Sequence, residues 1–112
     1  MSDVYVSVTG FRPKTGVQFA RFWWHTLRSL AQARRSPGNI EVSARKIDGI
    51  YHTMSIWTDK ASMIAFVRSG AHRRAMQNFR EFGMGKTHGF GASGKPGWNA
   101  AYERWLLHAK EV

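Results

Sequence analysis

NIEVSARKIDGIYHTMSIW, residues 39–57, is the stretch on which the fold turns. Ile40, Val42 and Ala44 alternate with Glu41, Ser43 and Arg45, the period-two pattern of a half-buried strand. Asp48-Gly49 follows, a dipeptide suited to a tight hairpin turn because both residues tolerate positive φ. Ile50, Met54 and Ile56, with His52 among them, then take one side of a second strand, and Tyr51, Thr53, Ser55 and Trp57 take the other. Two antiparallel neighbours are therefore expected in the middle of the chain.

On the N-terminal side, Val17, Ala20, Trp23, Trp24, Leu27, Leu30 and Ala31 recur at helical spacing, with Gln18, Arg21, His25, Arg28 and Gln32 opposite them. The spacing predicts an amphipathic helix from Thr15 as N-cap to about residue 35, stopped by Ser36-Pro37-Gly38. Before it, Val4, Val6 and Val8 alternate with Tyr5, Ser7 and Thr9 in a first strand that Gly10 and Pro13 close. On the C-terminal side, Thr58 and Asp59 open a helix carrying Met63, Ile64, Phe66 and Val67. Ser69-Gly70 breaks it before a second helical run over residues 71–82, which Gly83 and Gly85 end. A short fourth strand, residues 87–92, sets His88, Phe90 and Ala92 on one face. A last helix follows the loop at 93–97, with Trp98, Ala101, Tyr102, Trp105 and Ala109 as its stripe. The order is β-α-β-β-α-β plus a terminal helix. That predicts one α+β, ferredoxin-like domain over residues 1–112, a four-stranded antiparallel sheet with both main helices on one face.

Composition sets the outer limits. The 112 residues are 43% hydrophobic and 13% aromatic, spread along the whole length, as in a packed domain. No run approaches a membrane span and the N-terminus carries an acid where a signal peptide carries bases, so the expected location is cytoplasmic. With no cysteine, disulfides, thiolate metal sites and cysteine nucleophiles are excluded. The five histidines and seven acids show no metal-ligand spacing, and no metal site is expected. Seventeen basic residues give a formal charge of +10. Such a field attracts nucleic acid, an anionic membrane surface or an acidic partner without choosing among them, or is simply a solvated basic surface.

If the valines, Met54 and Ile56 pack against the helices, then Tyr5, Ser7, Thr9, Tyr51, Thr53, Ser55 and Trp57 remain on an open face, flanked by Glu41, Ser43, Arg45 and Thr87. Aromatics mixed with hydroxyls suit a wet pocket or a half-buried interface. RNA-recognition domains stack bases on aromatics of the two central strands, and Tyr5 and Tyr51 occupy such positions. Their third-strand signature places aromatics where this chain has Ile50 and His52. Gly89-Phe90-Gly91-Ala92-Ser93-Gly94-Lys95 imitates a phosphate-binding loop, but Pro96 stands where Ser or Thr would hold magnesium, so it reads as a flexible glycine loop.

The segment from Tyr51 to Phe66, followed by Ser69-Gly70-Ala71-His72-Arg73-Arg74-Ala75-Met76, resembles the dimeric α/β-barrel superfamily. This superfamily includes the antibiotic-biosynthesis monooxygenases, and the segment looks most like the spheroidene monooxygenase-like group. The shared pattern is a strand ending in Trp, a helix with Phe, then Ser/Gly and a His opening the next helical segment. The resemblance implies a homodimer paired through the open sheet face, with a pocket for a small hydrophobic ligand that is polycyclic, isoprenoid or haem-like. Monooxygenase activity is the implied chemistry, and a non-catalytic ligand carrier is the alternative.

His72 is the foremost chemical candidate. On the helical run it shares the apolar stripe with Met76 and Phe79, where it serves as a general base, as an axial ligand to haem, or as a core histidine satisfied by a carbonyl. Tyr5, Ser7, Tyr51, Thr53, Ser55, Trp57, Met76 and Phe79 are the expected ligand-lining residues. In haem-degrading relatives a helix His works with a Trp and a first-strand Asn; here Trp57 matches the Trp, but the first strand offers Ser7 and Thr9. His52 and His88 fall on the apolar side of their strands, and His25 and His108 near polar helix faces. Arginines on the outer sides of the helices form a positive patch suited to anionic lipid or nucleic acid.

Overall fold

The computed structural model describes residues 3–13, 17–69 and 83–111. Five strands and three helices lie among them. They are β1 (Val4–Pro13), α1 (Val17–Arg35), β2 (Asn39–Ile47), β3 (Ile50–Trp57), α2 (Lys60–Val67), β4 (Gly83–Ala92), α3 (Trp98–His108) and β5 (Lys110–Glu111). The expected helical run at 71–82, and with it His72, Met76 and Phe79, lies outside the described residues.

The sheet order is β2-β3-β1-β4-β5 and the described neighbours pair antiparallel, so β1 and β3 are central as the βαββαβ reading requires. Asp48 and Gly49 adopt φ of 51° and 79°, the paired left-handed geometry of the anticipated hairpin turn. Asp59 caps α2, accepting a hydrogen bond from the Ser62 amide at 2.7 Å. Two boundaries differ from expectation. The first and fourth strands are longer, because β1 and β4 pair from Val4–Ala92 to Pro13–Gly83 and backbone pairing carries both strands through their glycines. Gly89 and Gly91 lie in β4, as the strand read over residues 87–92 expected, although the same glycines were also read as part of a flexible loop. The terminal β5, unanticipated, adds two residues beside Lys86 and Thr87.

The two faces have the expected members but the opposite cover. Val6, Val8, Met54, Ile56 and Phe90 form a core with Ala101 and Trp105 of α3. The main helices instead pack on the other face, where Trp57 joins Ala33 of α1 and Phe66 of α2, with Tyr5 and Val42 against them. Trp57 stacks on Phe66 at 5.3 Å between centroids, and Tyr51 meets Trp23 edge-on at 4.9 Å. Hydrophobic alternation groups residues by face but says nothing of which helix covers which face, and here α1 and α2 cover the face that carries Tyr5 and Trp57. Residues on β2 shift accordingly. Glu41, Ser43 and Arg45 pair with Ile56, Met54 and His52 and so share the valine face, while Val42 and Ala44 lie with Ser55 and Thr53.

The α1 stripe is also rotated. Trp24 and Leu27, expected inside, are each 60% exposed, whereas Thr26, Ser29 and the buried Ala33 share the inward side.

Candidate functional site

The helix-covered face carries a ladder of hydroxyls across the two central strands. Ser7 is paired with Ser55 and Thr9 with Thr53, and Thr9 continues the row to Thr87 on β4. The Thr9 and Thr87 hydroxyls lie 3.1 Å apart. Aromatic rings frame this floor: Tyr5 and Trp57 form one pair across the strands, Phe11 and Tyr51 another. All except the buried Phe11 and Trp57 are half-buried. Tyr5 lies across β4, and a Cβ on Gly89 would stand 2.2 Å from its hydroxyl oxygen. Glycine at 89 is what lets that ring lie flat on the sheet. Above the floor, α1 turns Thr26 and Ser29 inward.

Two buried donors on this face are unsatisfied. Trp57 has no solvent exposure, yet its indole N–H lacks an acceptor. Asn39, its partner across β2 and β3, has a side-chain amide nitrogen in the same condition. Leaving a buried donor unpaired costs about 1–3 kcal/mol, so two on paired strand positions call for an oxygen that the described residues do not supply.

The expected lining residues Tyr5, Ser7, Tyr51, Thr53, Ser55 and Trp57 are therefore brought together on one face, beneath α1 and α2. His72, Met76 and Phe79 lie outside the described residues. Asn39, Trp23 and Thr26 were missed. Asn39 stands at a strand start and carries no periodic signal; Trp23 was placed in the apolar stripe but not named as a lining residue, and Thr26 was lost when the stripe was drawn through the more hydrophobic Trp24 and Leu27. An open aromatic platform for RNA bases is absent from this arrangement, because Tyr5 and Tyr51 are half-buried under helices.

The other face holds two histidines with unpaired ring nitrogens. His52 is 1% exposed beneath α3, edge-on to Trp105 at 4.6 Å and Tyr102 at 5.3 Å. Burial pushes its pKa down and the nearby Thr9 backbone offsets part of this, although neither ring nitrogen reaches a partner with hydrogen-bond geometry. His88 lies 5.2 Å from His108, between ring centroids, and its Nε2 is likewise unpaired. Burial lowers its pKa, reinforced by the charges of His108 and Arg104. Both residues sit on the valine face, as read from the sequence, and neither reaches the hydroxyl floor. Haem would need an axial ligand there; no histidine of β1 to β4 lies on that face, and the expected ligand, His72, lies outside the described residues. No cluster of metal-ligating side chains occurs among the described residues. No described helix is long and apolar enough to cross a membrane.

No family model and no curated protein matches this sequence. Solved structures do match. SnoaB, a cofactor-independent oxygenase from Streptomyces nogalater, superposes with a TM-score of 0.67 at 20% identity, over 84% of this chain and 97% of its own. A Nitrosomonas europaea protein provisionally named an antibiotic biosynthesis monooxygenase gives 0.74 at 16% identity, over 87% and 97%. A Caulobacter crescentus protein with the same provisional name gives 0.68 at 12%, over 81% and 91%. The chain has the ferredoxin-like fold of the antibiotic-biosynthesis monooxygenases, as the β3-to-α2 resemblance implied.

Proposed function

We propose that the protein binds a polycyclic, oxygen-bearing hydrophobic molecule between the hydroxyl floor and the helices, and oxygenates it. The observation that carries this reading is the unpaired Trp57 indole N–H beside the unpaired Asn39 amide. Both are donors, and a carbonyl or phenolate oxygen satisfies donors. Rings from Tyr5, Tyr51 and Phe66 supply flat apolar walls, while the Ser and Thr hydroxyls donate or accept along the ligand's polar edge. SnoaB is by its name an oxygenase that needs no cofactor, and the same chemistry is proposed here. An electron-rich phenol that gives up a proton reacts with dioxygen itself, and the protein's task is to orient it and hold the resulting anion. His72 is the proposed base.

The active form is proposed to be a homodimer. Because α1 and α2 cover the aromatic face, the second copy is assigned to the opposite side of the sheet, where Leu106 and Leu107 of α3 are exposed. Light scattering tests the mass.

For the ligand, a soluble tricyclic phenol is titrated against the protein with tryptophan fluorescence as readout, and oxygen uptake is followed with no metal or cofactor added. Saturable quenching that is lost in Trp57→Phe is the expected result, together with a quinone product that has gained one oxygen atom and lost two hydrogens, the second atom of dioxygen leaving as water. Quenching that persists unchanged in Trp57→Phe removes the site. Saturable binding without oxygen uptake leaves a carrier.

A further inference from the structure

The outward side of α1 has no role in the core or in the ligand site. Trp24, Leu27, Arg28, Ala31, Arg34 and Arg35 are all exposed and fall on one side of the helix, opposite the buried Ala33. Large apolar side chains on a solvated helix face are unusual when grouped, and grouped with arginine they are distinctive. Between Asp3 and Glu41 the sequence contains no acid, so no carboxylate on α1 offsets these charges. The Arg28 guanidinium lies over the Trp24 ring, 5.7 Å from its centre, so that charge and indole are neighbours on this face.

We propose that this face docks the protein on an anionic lipid surface, with α1 lying in the plane of the headgroups. Trp24 and Leu27 enter the boundary between headgroup and acyl chain, where an indole has both an apolar neighbour and a polar one. Arg28, Arg34 and Arg35 meet the phosphates, and the formal charge of +10 draws the protein in. Other occupants fit less well. A second copy seated on α1 would bring arginines to arginines with no helix carboxylate between them. Nucleic acid accounts for the arginines and gives Leu27 nothing to contact. The surface lies on the side of α1 away from the sheet, so its occupation is independent of which ligand the floor holds.

The test is co-sedimentation of the full chain with vesicles of equal parts phosphatidylcholine and phosphatidylglycerol, against vesicles of phosphatidylcholine alone, at low salt. Binding to the anionic vesicles only is expected. The Arg28→Gln, Arg34→Gln, Arg35→Gln variant is expected to bind roughly a hundredfold more weakly, at about fivefold per charge. Trp24→Ala with Leu27→Ala is expected to weaken binding at least tenfold, roughly, by removing buried apolar area. All five residues are exposed, so both variants should melt like the parent, which separates lost docking from lost folding. Absence of vesicle binding at low salt overturns the proposal, as does binding indifferent to lipid charge or to these substitutions. A solution mass that falls when Trp24 and Leu27 are replaced overturns it in favour of a second copy. Retention of single-stranded RNA without retention of vesicles overturns it in favour of nucleic acid.

Discussion

The two faces of this sheet are built from the same four long strands and differ in almost every physical respect. The valine face centres on Val6, Val8, Met54 and Ile56 and is closed by α3, whose Trp105 rests on Gly10 and His52 and donates from its indole N–H to the Lys86 carbonyl at 2.9 Å. The opposite face is a row of hydroxyls and rings beneath the two helices α1 and α2. On the first face close packing is complete enough to seal a histidine with unpaired ring nitrogens. On the second, polar groups remain half-buried and two donors wait for an acceptor. On the proposed function, stability and binding fall on different sides of the same strands, and substitutions should separate them.

The largest effect is expected at the centre of the valine face. Trp105→Ala removes the ring that α3 packs on β1, and the loss should be about 3–5 kcal/mol in a urea titration. Ligand affinity extrapolated to fully folded protein should not change. Next comes Gly10→Ala. A Cβ there would stand 2.3 Å from the Trp105 ring and 2.7 Å from His52, so overpacking should cost about 1–3 kcal/mol, again without touching the floor. Equal losses for Ala at Gly94, where nothing lies within 4 Å of the added Cβ, would break the argument.

The third effect depends on pH. Burial holds His52 and His88 below the ordinary histidine value of 6.5, so both stay neutral in the folded chain while the unfolded chain takes up protons. Stability should be level above that value and decline as pH falls beneath it, until the folded histidines themselves titrate. His52→Leu should flatten the decline, as thermal melts across the acidic range would show. A slope that survives both His52→Leu and His88→Leu assigns it elsewhere. The smallest effect on stability belongs to the hydroxyl face. Thr53→Val and Ser55→Ala should each change stability by less than about 1.5 kcal/mol, yet weaken binding of the tricyclic phenol severalfold. Were they to destabilise like Trp105→Ala, the division between the faces would fail.

Much of this was legible in the sequence, for reasons that also explain what was not. Strict alternation from Val4 to Thr9 and from Ile50 to Trp57 sorts residues onto two faces, since a slip by one would invert both strands together. Asp48-Gly49 fixes the hairpin through its backbone preference. Nothing comparable says which face a helix will choose. Valine, methionine and isoleucine look more like core than tyrosine, serine and threonine, and that comparison assigned the cover wrongly. Hydrophobicity misled again on α1, where Trp24 and Leu27 outweigh Thr26 and Ser29 in any stripe drawn by polarity. The orphaned donors were beyond reach, because satisfaction of a hydrogen bond belongs to three-dimensional neighbours and leaves no periodic trace. Asn39 is the clearest instance.

The long ladder between β1 and β4 has a consequence for how the chain is made. Thr9 and Thr87, neighbours in the sheet, are 78 positions apart in sequence. β1 therefore emerges with both edges bare, gains β3 midway, and waits through the intervening residues before β4 arrives. During that interval a valine-rich segment presents unpaired amides and carbonyls to every other nascent copy nearby. Slow translation or slow release would lengthen the exposure, and the yield of soluble protein should depend on elongation rate and temperature more steeply than its final stability would suggest.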